Sequence, residues 1–188
     1  MIDTTFNFLL EELNGFLGAR YPSSEPHVVL SNPANQDGTI PPQIENKLIL
    51  TLVNVERESA ASGSAKQLRP QNGEYVRVNP PLNLNLYVLI SAYFGNNYGE
   101  SLKFLASAMG FFQGKALYRR EDAADFPRGL EKLSLEMVNL TFHDLNNLWG
   151  NLGGKYLPSV LFKARMLAIQ EDWISERVPE ITGTDTTL

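Results

Sequence analysis

Apolar residues recur at three- and four-residue spacing from the start of the chain. Phe6, Leu9, Leu10, Leu13, Phe16 and Leu17 fall on one face of a helix. The spacing predicts a helix over the first seventeen residues, with Asp3 or Thr4 as its cap and Gly15 and Gly18 weakening its far end. A short strand is expected at His27 to Ser31, before the proline-rich loop NPANQDGTIPPQ. Asn46 to Glu58, NKLILTLVNVERE, has no breaker and carries apolar residues on both faces before turning polar toward Arg57. That pattern suits a strand inside a sheet. The stretch SAASGSAKQLRPQNGE, with Gly63, Pro70 and Gly73, predicts an exposed loop built as a long hairpin arm over about residues 59–79.

The cleanest alternation runs from Leu82 to Phe94. Leu82, Leu84, Leu86, Val88, Ile90, Ala92 and Phe94 share one face, against a more polar face of Asn83, Asn85, Tyr87, Ser91 and Tyr93. Leu102, Leu105, Ala106, Met109 and Phe112 then predict a second amphipathic helix stopped by Gly114. Residues 116–129 read as a charged connection with room for one edge strand, and Leu133, Leu135 and Met137 mark a strand over Leu130 to Thr141. A short helix at about 142–152 and a last strand at about 159–171 follow. Beyond Val178 the tail PEITGTDTTL carries few apolar residues and is expected to be loose unless a partner orders it. Antiparallel strands with helices on one face describe an α+β fold: a twisted, mainly antiparallel sheet with two longer helices and one short one. One domain is expected over residues 1–178, with 179–188 as a flexible tail.

Composition narrows the possible chemistry. The chain has 188 residues, a net charge of −5 and no cysteine. Its acidity argues against nucleic-acid binding through the overall field. Without cysteine there is no disulfide, thiolate metal site or thiol nucleophile. No apolar run approaches the ~20 residues of a membrane helix, and the start lacks the basic, uninterrupted apolar pattern of a signal peptide, so a cytosolic beginning is expected. His143 beside Asp144 could form a base pair of hydrolytic type. However, no G-x-S-x-G nucleophile accompanies it, and a helix-start role is favoured. His27, after Pro26, reads as structural. Glu121, Asp122 and Asp125 lack calcium-loop spacing and are balanced by Arg119, Arg120 and Arg128. Gly150, Gly153 and Gly154 come at the end of a helix, where they serve as a stop with positive φ rather than as a phosphate loop. No catalytic, cofactor or metal residue is assigned.

Four segments carry a family resemblance: IDTTFNFLLEELN, NKLILTLVNVERE, NPPLNLNLYVLISAYF and, most specifically, LNNLWGNLGGKYLPSVLFKARML. In this order they resemble the N-terminal domain family of the cap, or tube-terminator, proteins of phage-tail-like contractile injection systems. The resemblance implies a phage tail-terminator-like α+β domain. It also implies a homo-oligomeric ring, most simply a hexamer, on the end of the inner tube, stopping tube growth and joining tube to sheath. It implies assembly in the bacterial cytoplasm, on a particle that can be released, with no nucleic acid and no membrane insertion. A baseplate or cargo adaptor using the same domain is the alternative. Arg57, Glu58, Lys66, Arg69, Tyr75 and Arg77 are the candidate subunit or tube contacts, and Pro179, Glu180 and Ile181 the candidate sheath or neighbour contacts. The contrary reading of the arm is an idle solvent loop.

Overall fold

The computed structural model describes residues 1–58, 67–71, 74–78, 83–168 and 174–178. The first helix, α1 (Ile2–Arg20), buries Phe6, Leu9, Leu13 and Leu17 of the stripe read from the sequence, leaves Leu10 and Phe16 partly buried, and adds Phe8, which the stripe did not include. It runs through both Gly15 and Gly18, where an added Cβ would meet open space. Neither Asp3 nor Thr4 caps it: the Thr4 and Thr5 hydroxyls both donate back to the Met1 carbonyl. Strand β1 (Val28–Leu30) lies parallel to β2 (Lys47–Arg57), and a 3-10 turn (Pro42–Ile44) between them buries Ile44. Next come β3 (Gln67–Gln71), β4 (Glu74–Val78) and β5 (Leu84–Tyr93), then α2 (Tyr98–Gly114), capped by the Asn97 side chain. The chain continues through β6 (Leu117–Arg119), β7 (Leu130–Val138), α3 (Phe142–Asn151), β8 (Ser159–Ala168) and β9 (Ile174–Val178).

Two sheets result. One has six strands in the order β1-β2-β5-β8-β7-β6, and the other three in the order β3-β4-β9. Every pairing is antiparallel except β1 with β2. The α+β class and mainly antiparallel sheet match the sequence expectation. β3 and β4 pair as a hairpin inside the expected arm, and β9 pairs with β4 where no strand was expected. The loop calls for 59–66 and for the tail 179–188 lie outside the described residues.

The larger core joins α1 and α2 to one face of the six-stranded sheet, through Leu48 and Leu50 of β2, Leu86, Val88, Ile90 and Ala92 of β5, and Phe162, Ala164 and Met166 of β8. The expectation that all helices share one face fails for α3, which packs on the other. There Trp149 meets Leu89 and Leu161, with Val53, Tyr87, Val138 and Leu145 around them. Leu89 is the reason: it sits in the middle of the polar-looking face of β5 and gives α3 an apolar seat. Ser91 is fully buried on that face too.

Tyr118 on β6 is fully buried in the main core, edge-on to Phe8 at 5.2 Å, and its hydroxyl finds no partner among the described residues. Burial, with a smaller contribution from Glu12, pushes the phenol well above its ordinary value. A group whose pKa is raised by folding supports the fold fully below the unfolded value, and that support is lost as pH rises past it. Unfolding should therefore become easier above about pH 10. Tyr118→Phe is expected to flatten that alkaline loss and to raise stability at neutral pH by about 1 kcal/mol, since it removes an unpaired buried hydroxyl. Urea melts at pH 7 and pH 10.5 check both effects.

Candidate assembly surface

The residues that looked most like chemistry are spent on local structure. Thr141 caps α3 by accepting from the Asp144 backbone N–H, while the Asp144 carboxylate takes the Thr141 hydroxyl and backbone N–H in return. These hydrogen bonds hold the Asp144 carboxyl below the ordinary carboxylate value. A depressed carboxylate supports the fold above its unfolded value, so the cap weakens as pH falls through the acid range. His143 turns to Asn147 rather than to Asp144, with 3.0 Å between its Nε2 and Asn147 Nδ2. His27 packs against Phe104 and Tyr21, and its Nε2 lies against the Tyr21 carbonyl. Among the acidic cluster, Asp122 accepts from the Arg119 backbone and Glu121 pairs with Arg119. Among the described residues no group of His, Asp or Glu is arranged to hold a metal ion. Gly153, at φ +67, supplies the positive φ that ends α3.

The sheet margins carry the more informative geometry. The outer strand β1 is sealed by α1: Asn14 Oδ1 accepts from the His27 and Val28 amides at 2.9 Å each, and Asn14 Nδ2 donates to the Val28 carbonyl at 3.1 Å. At the other margin, Asp122 closes β6. Its carboxylate accepts from Arg119 N–H, and its own amide donates to the Arg119 carbonyl. Both outermost strands are thus blunted by side chains of their own chain, a known way of keeping edges from pairing.

Both outer strands are also short. β1 covers β2 only at Leu48 to Leu50, and β6 covers β7 only at Lys132 to Ser134, with one further bond from Leu135 N–H to Ala116. From Leu52 to Arg57 on β2, and from Glu136 to Val138 on β7, no strand lies beyond among the described residues. Large apolar side chains are exposed on both stretches: Leu52 and Val55 at 40 % each, and Met137 at 49 %. Phe142, at the start of α3, is 93 % exposed beside the end of β7.

The candidate contacts read from the sequence separate into groups. Arg57 ends β2 and Glu58 follows it, where the Asn85 side chain donates to Glu58. Arg69, Tyr75 and Arg77 occupy neighbouring register positions of the β3–β4 hairpin, with Tyr75 and Arg77 also opposite Val178 and Glu176 of β9. Lys66, Pro179, Glu180 and Ile181 lie outside the described residues. The open stretches of β2 and β7 and the Asn14 seal were not assigned from the sequence. Alternation shows which face a residue takes but not where a neighbouring strand stops.

The amino-acid sequence matches the model of the Pvc16 N-terminal domain over residues 5–182. The chain belongs to that family. The family's fold extends to solved structures. The chain is similar to the sheath/tube terminator of PVC, an extracellular contractile injection system, determined in the extended state. The identity is 12 % and the TM-score 0.65, over 100 % of this chain and 63 % of that one. It is likewise similar to the tube-terminating cap of the anti-feeding prophage, at 12 % identity and a TM-score of 0.62, over 100 % of this chain and 60 % of that one. The chain therefore spans about three-fifths of each of those proteins. No curated protein matches the sequence. Among the described residues, no helix is long and apolar enough to cross a membrane.

Proposed function

We propose that this protein is a non-catalytic terminator that assembles as a ring, with six copies as the expected number, on the end of the inner tube of a contractile injection system. There it stops tube growth and joins the tube to the last sheath layer. The observation that carries this reading is the family match across residues 5–182 together with a fold shared over the whole chain with a sheath/tube terminator and a tube-terminating cap. The sealed outer strands and open inner stretches of the sheet support a protein whose work is contact with other chains. In this reading residues 1–178 form one assembling domain with an arm at 59–79, and 179–188 is a tail. Arg57, Glu58, Lys66, Arg69, Tyr75 and Arg77 face a neighbouring subunit or the tube, and Pro179, Glu180 and Ile181 face sheath or neighbour. Assembly takes place in the bacterial cytoplasm, and the finished particle can be released.

The test is electron microscopy of particles from cells with and without the gene. Loss of the protein is expected to broaden the distribution of tube lengths, and labelled protein is expected at the end away from the baseplate. An unchanged length distribution would sink the reading, and label at the baseplate end would transfer the protein to an adaptor role.

A further inference from the structure

We propose that Asn14 is a modification site gated by folding. While the chain is unfolded, its side-chain amide converts spontaneously to a carboxylate, with water as the only co-reactant. Once α1 is docked on β1, the conversion stops.

The reactivity lies in the sequence. Asn14 is followed by Gly15. The backbone nitrogen after an asparagine can attack that asparagine's own side-chain carbonyl carbon, and glycine, lacking a side chain, makes this nitrogen the least hindered. In the open chain, base removes the Gly15 amide proton and the nitrogen bonds to Asn14 Cγ. A five-membered succinimide closes, the Cγ–Nδ2 bond breaks, and the nitrogen leaves as ammonia after taking up a proton. Water then adds to either ring carbonyl and breaks its bond to the ring nitrogen. One route gives aspartate; the other gives isoaspartate, in which the main chain runs through the former side chain. The sum is amide plus water to acid plus ammonia, and nothing is oxidised or reduced.

The folded geometry blocks each requirement. Gly15 lies inside α1, where its N–H is directed along the helix toward the carbonyl four residues back rather than free to be lost to base. The Asn14 side chain is held to a different element altogether. Its Oδ1 accepts from the His27 and Val28 amides at 2.9 Å each, and its Nδ2, the leaving group, donates to the Val28 carbonyl at 3.1 Å. Ring closure must therefore wait for α1 to open locally.

Packing does not explain the glycine. A Cβ at Gly15 would meet open space, and its φ is not in the left-handed region. Glycine weakens a helix interior relative to alanine. The one residue of this turn that α1 could readily exchange is the one that makes Asn14 reactive.

The product strikes the seal of β1. Aspartate at position 14 keeps the two acceptor contacts and loses the donor to Val28. Isoaspartate lengthens the main chain by one carbon, which puts the turns on its two sides out of phase. Leu13 and Leu17, both fully buried, then no longer share one core-facing stripe. A chain that lingers unfolded is thus marked irreversibly at the side chain that closes an outer strand, and an unsealed edge is a pairing hazard.

Asn72–Gly73 is the other Asn–Gly pair of the chain and serves as an internal clock. Full-length protein is held at pH 8 with and without urea, and peptide mapping by mass spectrometry follows each asparagine over time. In urea, Asn14 is expected to convert as fast as Asn72; without urea, at least about tenfold more slowly than in urea, because only the locally opened fraction reacts. Gly15→Ala should slow Asn14 severalfold in urea and leave Asn72 unchanged. Urea-treated protein is then refolded, and the isoaspartate form at position 14 is separated by its added charge. Hydrogen exchange should find the Val28 amide unprotected in that form. Equal rates at Asn14 with and without urea, a Gly15→Ala chain that converts as fast as wild type in urea, or an isoaspartate form that protects Val28 would each overturn the proposal. None of these outcomes bears on the terminator reading.

Discussion

Replacing Trp149 with alanine is expected to cost about 3–5 kcal/mol, the range for deleting a large buried aromatic side chain. The indole is 4 % exposed and is the buried centre of the smaller core, held between Leu89 and Leu161 of the sheet, with Tyr156 edge-on at 5.9 Å. A methyl group at Gly154 would stand 3.5 Å from the ring and 3.6 Å from Ala34, so the loop after β1 closes over the same site. α3 has only ten residues and is marginal as an isolated helix, so its docking depends on this side chain. The indole N–H has no partner among the described residues, so Trp149→Phe should recover a large share of the loss. Urea denaturation followed by far-ultraviolet circular dichroism measures both variants. A loss below 1 kcal/mol for the alanine variant would show that α3 does not rely on this core.

Asn14→Ala is expected to cost about 2–4 kcal/mol, from three hydrogen bonds at about 0.5–1.5 kcal/mol each. The part-buried Asn14 amide group serves the start of β1 from both ends: its oxygen accepts from the His27 and Val28 backbone amides and its nitrogen donates to the Val28 carbonyl. Alanine leaves all of these groups without their partner. Asn14→Asp keeps both acceptor contacts but turns the third into a repulsion between carboxylate and carbonyl, so it should fall between wild type and alanine. Thermal melts rank the variants, and hydrogen exchange at the Val28 amide reports the seal directly. Protection at Val28 that survives the alanine change would refute this account. The variant should also aggregate more readily than wild type, because the unsealed strand is free to pair.

Much of the architecture was legible in residue spacing, since burial follows period. The α1 stripe from Phe6 to Leu17 and the even-numbered face of β5 took the faces their periodicity assigned. What escaped depended on length or on partners distant in sequence. Met137 continues the alternation of Leu133 and Leu135, yet it is exposed because β6 ends and no helix reaches that far. Leu89 lay hidden among Asn85, Tyr87 and Ser91, so the seat of α3 was read as a polar face. Asn14 and Val28 meet only because α1 turns back over the sheet margin. The pairing of Thr141 with Asp144 did have a local signal, a capping residue three positions ahead of a carboxylate, in keeping with the helix-start role favoured for His143. For the candidate contacts, the sequence marked the end of β2 at Arg57 but gave no sign of the bare stretch of β7 that shares its level.

The shift of register between Leu52 and Asn54 gives β2 two phases. Up to Leu52 the even-numbered residues face α1 and α2; after the bulge, odd-numbered Val55 and Arg57 take over that side. Val53 is the inserted beat. A chain shortened by that residue would keep every side chain on its present face and opposite its present β5 partner, because Leu52 faces Val88 and Asn54 already faces Tyr87, but it would lose the local bend and twist that the extra residue gives the strand. Such a protein would lack the apolar contact that Val53 gives the smaller core and would carry a straighter margin. The pairing of β2 is thus indifferent to the extra residue, while the shape of its free margin depends on it.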